Sequence, residues 1–137
     1  MKESTELTQR KIGIVGLGKT GRMSADALSF LGADVSYYSR TRKPEAEKVG
    51  IVYRPLEELL ADVEIVCTCL PRNNYILGEK EFELMGNGKI LVNTSVGQTF
   101  ETEAICNWLR NCQDSINLCD ATGMRVLQDR LNFFPNV

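Results

Sequence analysis

Histidine is absent from all 137 residues of the chain. Imidazole is the side chain that most often gives or takes a proton near neutral pH, because its ordinary pKa is about 6.5. Most reductions of a carbonyl group rely on a proton donor of this kind. The chain is therefore not expected to complete such a reaction by itself.

Long hydrophobic runs and a strong net charge are also missing. No apolar stretch approaches the roughly 18–20 residues that a membrane-spanning helix requires. The polar start, Met1–Leu7, lacks the apolar core of a secretory signal. The net charge of −2 gives no reason to expect a nucleic acid or an anionic membrane as a partner. These absences predict a cytoplasmic protein that binds neither membranes nor nucleic acids.

Cysteine is present, but in a pattern that excludes its usual structural roles. The chain has five cysteines, an odd number, and no C-x-x-C pair. This spacing argues against a disulfide framework and against a zinc site, and no metal site is predicted. Cys67 and Cys69 lie two residues apart in an apolar stretch and so share one strand face. We interpret the cysteines as small hydrophobic residues in a reducing compartment.

A glycine-rich segment is the strongest positive signal in the sequence. Residues 11–21 read KIGIVGLGKTG, so that G-x-G-x-x-G follows an apolar run and opens a helical pattern. The first glycine allows a tight turn, the second lets a pyrophosphate approach the backbone, and the third lets helix and strand pack closely. The free N–H groups at the start of the helix would face the phosphates. The residues predicted to bind the pyrophosphate are Gly16, Gly18, Lys19, Thr20 and Gly21. The alternative is a glycine-rich turn that binds nothing.

Strand-like and helix-like segments alternate along the chain. We predict strands at 12–15, 34–38, 50–53, 63–70, 89–93 and 115–119. Helices are predicted between them, with a further short helix at 124–131. This alternation predicts an α/β fold with a doubly wound parallel sheet in the order 3-2-1-4-5-6, that is, a three-layer NAD(P)-binding Rossmann fold. Residues 1–10 are predicted to be a lead-in or linker, and residues 11–137 the dinucleotide-binding domain.

Spacing also predicts the extent of helices. Apolar residues recur at helical spacing after the glycines, namely Met23, Ala27, Leu28 and Leu31, and predict a helix from Thr20 to Leu31. Pro55 suits the first position of a later helix. Thr99 is predicted to cap the N-terminus of another.

The end of the second predicted strand carries hydroxyls and cations, where NAD-specific folds usually carry an acid. Residues 37–43 read YYSRTRK. A 2′-phosphate favours positive charge and forked donors, and a strand-end carboxylate would repel it. We therefore predict NADP(H), with NAD possible. Arg40 or Arg42 would bind the phosphate, and Ser39 and Thr41 would donate hydroxyls. The alternative is a solvated basic loop.

Taken together, these segments resemble the NAD(P)-binding domain of the D-isomer-specific 2-hydroxyacid dehydrogenase family. The resemblance extends over nearly the whole chain from Leu7 onward. The motifs that carry it are KIGIVGLGKTG, YYSRTRKPE, PLEELLADVEIVCTCLP, EKEFELMGNGKILVNTSVG, LCD and a final PNV. KILVNTSVG is the most specific of these. The first half also resembles the 3-hydroxyisobutyrate dehydrogenase group.

The resemblance implies a chemistry and a set of contacts. In a full-length protein, hydride would pass between NAD(P)H and the carbonyl carbon of a small 2-oxo acid. Leu70 and Pro71 would line the cofactor site on the adenine side. Thr94 would lie beside the nicotinamide, and Asp120 would orient its carboxamide. Related enzymes pair through this domain, so a homodimer is expected.

The chain departs from the family pattern at its reactive positions. Val96 stands where the family has the arginine that clamps the substrate carboxylate, and the family's histidine would follow the final PNV. The substrate domain is expected to lie outside this chain. We therefore assign no catalytic residue and predict that the domain alone is inactive. It would be a piece of a larger protein, from a branch with altered chemistry. A non-enzymatic dinucleotide sensor stays an alternative.

Overall fold

The computed structural model describes residues 7–71, 74–95 and 97–119, which form one six-stranded sheet flanked by helices. The strands are β1 (Lys11–Val15), β2 (Asp34–Tyr38), β3 (Val52–Tyr53), β4 (Ile65–Thr68), β5 (Ile90–Asn93) and β6 (Ile116–Cys119). The helices are α1 (Lys19–Phe30), α2 (Pro44–Lys48), α3 (Leu56–Asp62), α4 (Glu79–Met85) and α5 (Thr102–Asn111). No helix in these ranges is long and apolar enough to cross a membrane.

The strands lie side by side in the order β3-β2-β1-β4-β5-β6, and every neighbouring pair is parallel. This confirms the predicted fold class and strand order. Strand β1 lies inside the sheet, where Ile14 is opposite Tyr37 of β2 and Cys67 of β4. The strand order reverses between β1 and β4, and in such folds the crevice for ligands lies at the carboxyl ends of the strands there.

The two faces of the sheet bury separate hydrophobic cores. Helices α3, α4 and α5 cover one face, where Leu59, Phe82 and Trp108 belong to one buried cluster. The rings of Phe82 and Trp108 lie 5.1 Å apart between centroids. Helices α1 and α2 cover part of the other face, where Ile14 and Ala25 belong to a second cluster. The sheet is thus held from both sides, as in a three-layer fold.

The buried face of α1 is not the side that carries its large apolar residues. Met23 and Leu31 are 65% and 55% exposed, and Ala27 is exposed as well. Of the four apolar residues that recur at helical spacing, Leu28 alone packs against the second cluster. The helix itself is present where the spacing predicts it.

Close packing of small residues explains which side of α1 is buried. The buried residues of α1 are Gly21 and Ala25. A Cβ atom on Gly21 would lie 2.1 Å from the carbonyl oxygen of Gly16, so the backbone of α1 packs directly against the turn that precedes it. That contact fixes the rotation of α1, and the larger side chains are turned outward.

Two predicted helix starts are corrected. Helix α5 begins at Thr102 with Glu101 as its N-cap, so Thr99 does not cap it. The Thr99 carbonyl instead accepts a hydrogen bond from Leu77 N–H at 3.0 Å, within a parallel bridge that keeps this stretch extended. Pro55 is the N-cap of α3 and not its first helical residue. The helix predicted at 124–131 lies outside the described residues.

Replacement of Leu59 by alanine should test the core under α3. Leu59 is fully buried, and a Cβ on Gly13 of β1 would lie only 2.5 Å from its Cδ2 atom, so strand and helix meet at this side chain. We expect Leu59→Ala to lower the free energy of unfolding by about 2–5 kcal/mol in urea titrations. The control Val49→Ala removes an apolar side chain that is 57% exposed, and should cost at most about 0.5 kcal/mol. Equal losses for both variants would contradict this assignment of the core.

Candidate dinucleotide-binding site

The glycine turn between β1 and α1 is closed on its inner side. Gly16 has a φ of +96°, a conformation that L side chains rarely adopt. Its N–H donates to the Tyr38 carbonyl at 2.8 Å, which ties the turn to the end of β2. A Cβ on Gly16 would lie 2.7 Å from the Cys69 carbonyl oxygen. Gly16 is thus fixed by the backbone on both sides.

The outer side of the same turn is open. Helix α1 begins at Lys19, and its N-cap Gly18 makes no side-chain capping hydrogen bond. The first N–H groups of a helix have no acceptor within the helix. A Cβ on Gly18 would have no heavy atom within 4 Å. Free amides at the positive end of a helix, beside open space, fit the phosphates of a dinucleotide.

A cavity of about 250 Å³ lies beside this turn, at the carboxyl ends of β1, β2 and β4. It is lined by Gly16, Tyr38, Ser39, Arg40, Leu70, Pro71, Asn74 and Ile76. The structure therefore brings together five residues that the sequence had selected from three separate segments. None of the lining residues within 7–71, 74–95 and 97–119 is a carboxylate.

Two lining residues were missed by the sequence analysis. Tyr38 was treated only as a strand residue, although the last residue of β2 faces the crevice. Asn74 ends the segment 70–74, which the predicted strand order places at the crevice. Ile76 lies in the connection after β4, which has no regular spacing from which a contact could be inferred. Ile76 also packs against the first core, which anchors this wall of the cavity.

The cations predicted for a 2′-phosphate are separated in the structure. Arg40 lines the cavity and is exposed to solvent. Arg42 does not line the cavity, and its guanidinium group lies 4.9 Å from the centre of the Tyr53 ring. The Ser39 hydroxyl donates to the Thr41 carbonyl, which holds the loop in a tight bend.

Side chains at the ends of β4 and β5 are joined to one another. The Thr94 hydroxyl donates to the Thr68 carbonyl at 3.0 Å and lies 3.3 Å from the Cys69 sulfur. The Ser95 hydroxyl accepts a hydrogen bond from Leu70 N–H at 2.7 Å. Thr94 lines a second cavity of about 330 Å³ and does not reach the first.

Two of the predicted positions at this edge are not among the described residues, whereas all five cysteines are. Asp120 and Val96 lie outside the described residues. None of the five cysteines forms a disulfide. Burial raises the pKa of the Cys67 thiol to about 12, so this sulfur stays protonated at neutral pH. Within 7–71, 74–95 and 97–119, no group of carboxylates and thiols is placed to hold a metal ion.

Comparisons with known proteins identify relatives of this chain. The family model described as D-isomer specific 2-hydroxyacid dehydrogenase, NAD binding domain, matches residues 1–137. Glyoxylate reductase of Thermococcus gammatolerans is 39% identical over 105 residues, which cover 74% of this chain and 31% of that protein. D-lactate/D-glycerate dehydrogenase of Pediococcus acidilactici is 34% identical over 103 residues, which cover 73% and 31%.

Solved structures agree with the fold as well. The crystal structure of D-lactate dehydrogenase with NAD+ from Lactobacillus jensenii is 27% identical and superposes with a TM-score of 0.76, covering 85% of this chain and 36% of that one. The chain therefore spans about a third of the length of the proteins that it matches.

Alanine substitutions at two glycines should separate binding from folding. The methyl group added by Gly18→Ala would have no heavy atom within 4 Å. The substitution should therefore change the free energy of unfolding by less than about 0.5 kcal/mol. Its methyl group would stand where a phosphate approaches the amides. Loss of one charge-assisted hydrogen bond would weaken dinucleotide binding about tenfold in calorimetric titrations.

Gly21→Ala is the matched comparison. Its Cβ would overlap the Gly16 carbonyl oxygen, so both stability and binding should fall, stability by about 1–3 kcal/mol. If Gly18→Ala bound a dinucleotide as tightly as the parent chain, the pyrophosphate would not lie at this turn.

Proposed function

The chain belongs to the D-isomer specific 2-hydroxyacid dehydrogenase family as its NAD-binding domain, and we propose that it binds NADP(H) for hydride transfer to a 2-oxo acid in a larger protein. One observation carries the choice of cofactor. Arg40 and Ser39, which follow β2, line the cavity beside the glycine turn, and none of the described residues that line it is a carboxylate. A 2′-phosphate gains from the first two groups and would be repelled by an acid.

The cavity has both apolar and polar lining residues. Leu70, Pro71 and Ile76 are apolar and suit the flat face of adenine. Ser39 and Arg40 are polar, and we propose that they hold the ribose and its phosphate. The open N-terminus of α1 would bind the pyrophosphate through backbone N–H groups.

The residues present in this chain determine which parts of the reaction it would support. When bound, the nicotinamide supplies the hydride. This chain would hold the cofactor by its phosphates and adenine, and Thr94 and Asp120 are proposed to lie on the nicotinamide side. Because the sequence contains no histidine, the proton for the substrate oxygen is proposed to come from another part of the protein.

A regulatory role is the second candidate function, and the same absence of histidine favours it. A dinucleotide-binding domain that reports the cofactor's redox state to a partner needs the phosphate site but no proton donor. Assay of the larger protein with 2-oxo acids distinguishes the two. Turnover indicates the enzyme, and binding without turnover indicates the sensor.

Replacement of Arg40 should weaken NADPH binding selectively. In calorimetric titrations, Arg40→Ala should lower the affinity for NADPH about tenfold, the loss expected for one charge-assisted hydrogen bond. The affinity for NADH should fall much less, because NADH has no 2′-phosphate. Arg42→Ala is the matched control and should have the smaller effect, since its guanidinium lies outside the cavity. Tighter binding of NADH than of NADPH by the parent chain would contradict the choice of cofactor.

We also propose a homodimer that buries the outer face of α1. Met23, Phe30 and Leu31 are 65%, 90% and 55% exposed. They lie at positions i, i+7 and i+8, which place them on one side of a helix. Adjacent exposed apolar side chains of this size mark a surface that another molecule covers, and a second copy of the chain is the occupant that we propose. A cytoplasmic location is proposed as well, and the absence of a disulfide among the five cysteines supports it.

Phe30→Asp should convert such a dimer to a monomer, because it places a charge in the apolar face. Sedimentation velocity over a range of concentrations measures this directly. Val49→Asp makes the same kind of change at an isolated exposed side chain and should leave the dimer intact. A parent chain that sediments as a monomer at all concentrations would overturn the proposed dimer.

A further inference from the structure

Arg42 is held by a carboxylate on the helix that follows it. Its guanidinium donates to both oxygens of Glu47, from Nη2 to Oε1 and from Nε to Oε2, the latter at 3.3 Å. The same guanidinium lies over the ring of Tyr53, 4.9 Å from its centre. A guanidinium can bind either a carboxylate or a phosphate through two parallel hydrogen bonds. While Arg42 binds Glu47 in this way, it does not offer the same contact to a phosphate.

Glu47 itself is fixed from the core. The Tyr37 side chain is fully buried, and its hydroxyl donates to Glu47 Oε2 at 3.2 Å. That hydroxyl also accepts a hydrogen bond from Lys43 N–H at 2.7 Å. One phenol thus ties the loop and the first turn of α2 together. Glu47 is less exposed than its partner Arg42, with 25% of its side chain accessible against 64%.

The charge of Glu47 opposes that of Arg42 at the place where a 2′-phosphate would bind. The hydrogen bond from Arg42 lowers the pKa of Glu47, so the carboxylate is ionised at neutral pH. The pair presents little net charge to the crevice, and Arg40 is the cation among the described residues that line the cavity.

We propose that Glu47 is a specificity-determining residue that limits the preference of this site for 2′-phosphorylated dinucleotides, because it occupies Arg42. The proposal rests on the proposed binding of NADP(H). Under this proposal the two arginines of the loop differ in whether they can bind a phosphate. Arg40 is available to the phosphate, and Arg42 is withheld from it by a carboxylate of the same chain.

The test is titration of the 137-residue chain with NADPH and with NADH, before and after Glu47→Gln. The substitution removes the charge, keeps the size of the side chain and releases Arg42. The ratio of NADPH to NADH affinity should rise about two- to fivefold, the range of a single exposed ion pair. The gain should shrink at high salt, as an exposed charge interaction does.

Two further variants make the result specific. Glu45→Gln makes the same change of charge on the same helix at an exposed carboxylate, and should leave the ratio unchanged. In the double variant Arg42→Ala/Glu47→Gln the gain should disappear, because the released guanidinium is missing. Near-ultraviolet circular dichroism of the tyrosines confirms that each variant is folded.

The outcomes separate this inference from the proposed function. NADPH binding by the parent chain with no change of ratio in Glu47→Gln overturns the inference and leaves the function standing. A gain that persists in the double variant, or that Glu45→Gln reproduces, also overturns it, since general charge would then be the cause. A parent chain that binds neither dinucleotide overturns both.

Discussion

The contact between Gly21 and the carbonyl of Gly16 constrains most of the other features of this molecule. It brings the axis of α1 close to β1, and it leaves no room for a side chain between them. Once that distance is set, the N-terminus of the helix must point at the carboxyl edge of the sheet, where its amides have no internal acceptor. The phosphate site is therefore a consequence of how tightly a helix and a strand can approach each other.

The same constraint determines what α1 exposes. Small residues are required on the inner side of the helix, so the larger apolar residues are placed outside, with Phe30 the most exposed of them. A single backbone contact thus links a binding site at one end of the helix with an apolar surface along its side. The two properties are expected to change together if the helix rotates.

The sequence predicted the strand order and the glycine turn because both follow from strong local rules. Alternating apolar runs and helical patterns determine a doubly wound sheet, and G-x-G-x-x-G is informative when it lies between a strand and a helix. Contacts between distant residues could not be predicted in the same way. Nothing in the spacing of Arg42 and Glu47 shows that they pair, or that a buried tyrosine hydroxyl donates to the same carboxylate. The extended bridge at Phe100 likewise moves a helix start past Thr99.

The open space at Gly18 has a consequence for how such sequences can be interpreted. Gly16 and Gly21 are confined by backbone atoms of the fold itself, whereas Gly18 meets nothing. Natural selection for folding would therefore retain the first and third glycines in a domain that no longer binds a cofactor, but would be indifferent to the second. The middle glycine of the motif is the position at which an evolutionary record of lost binding would first become visible.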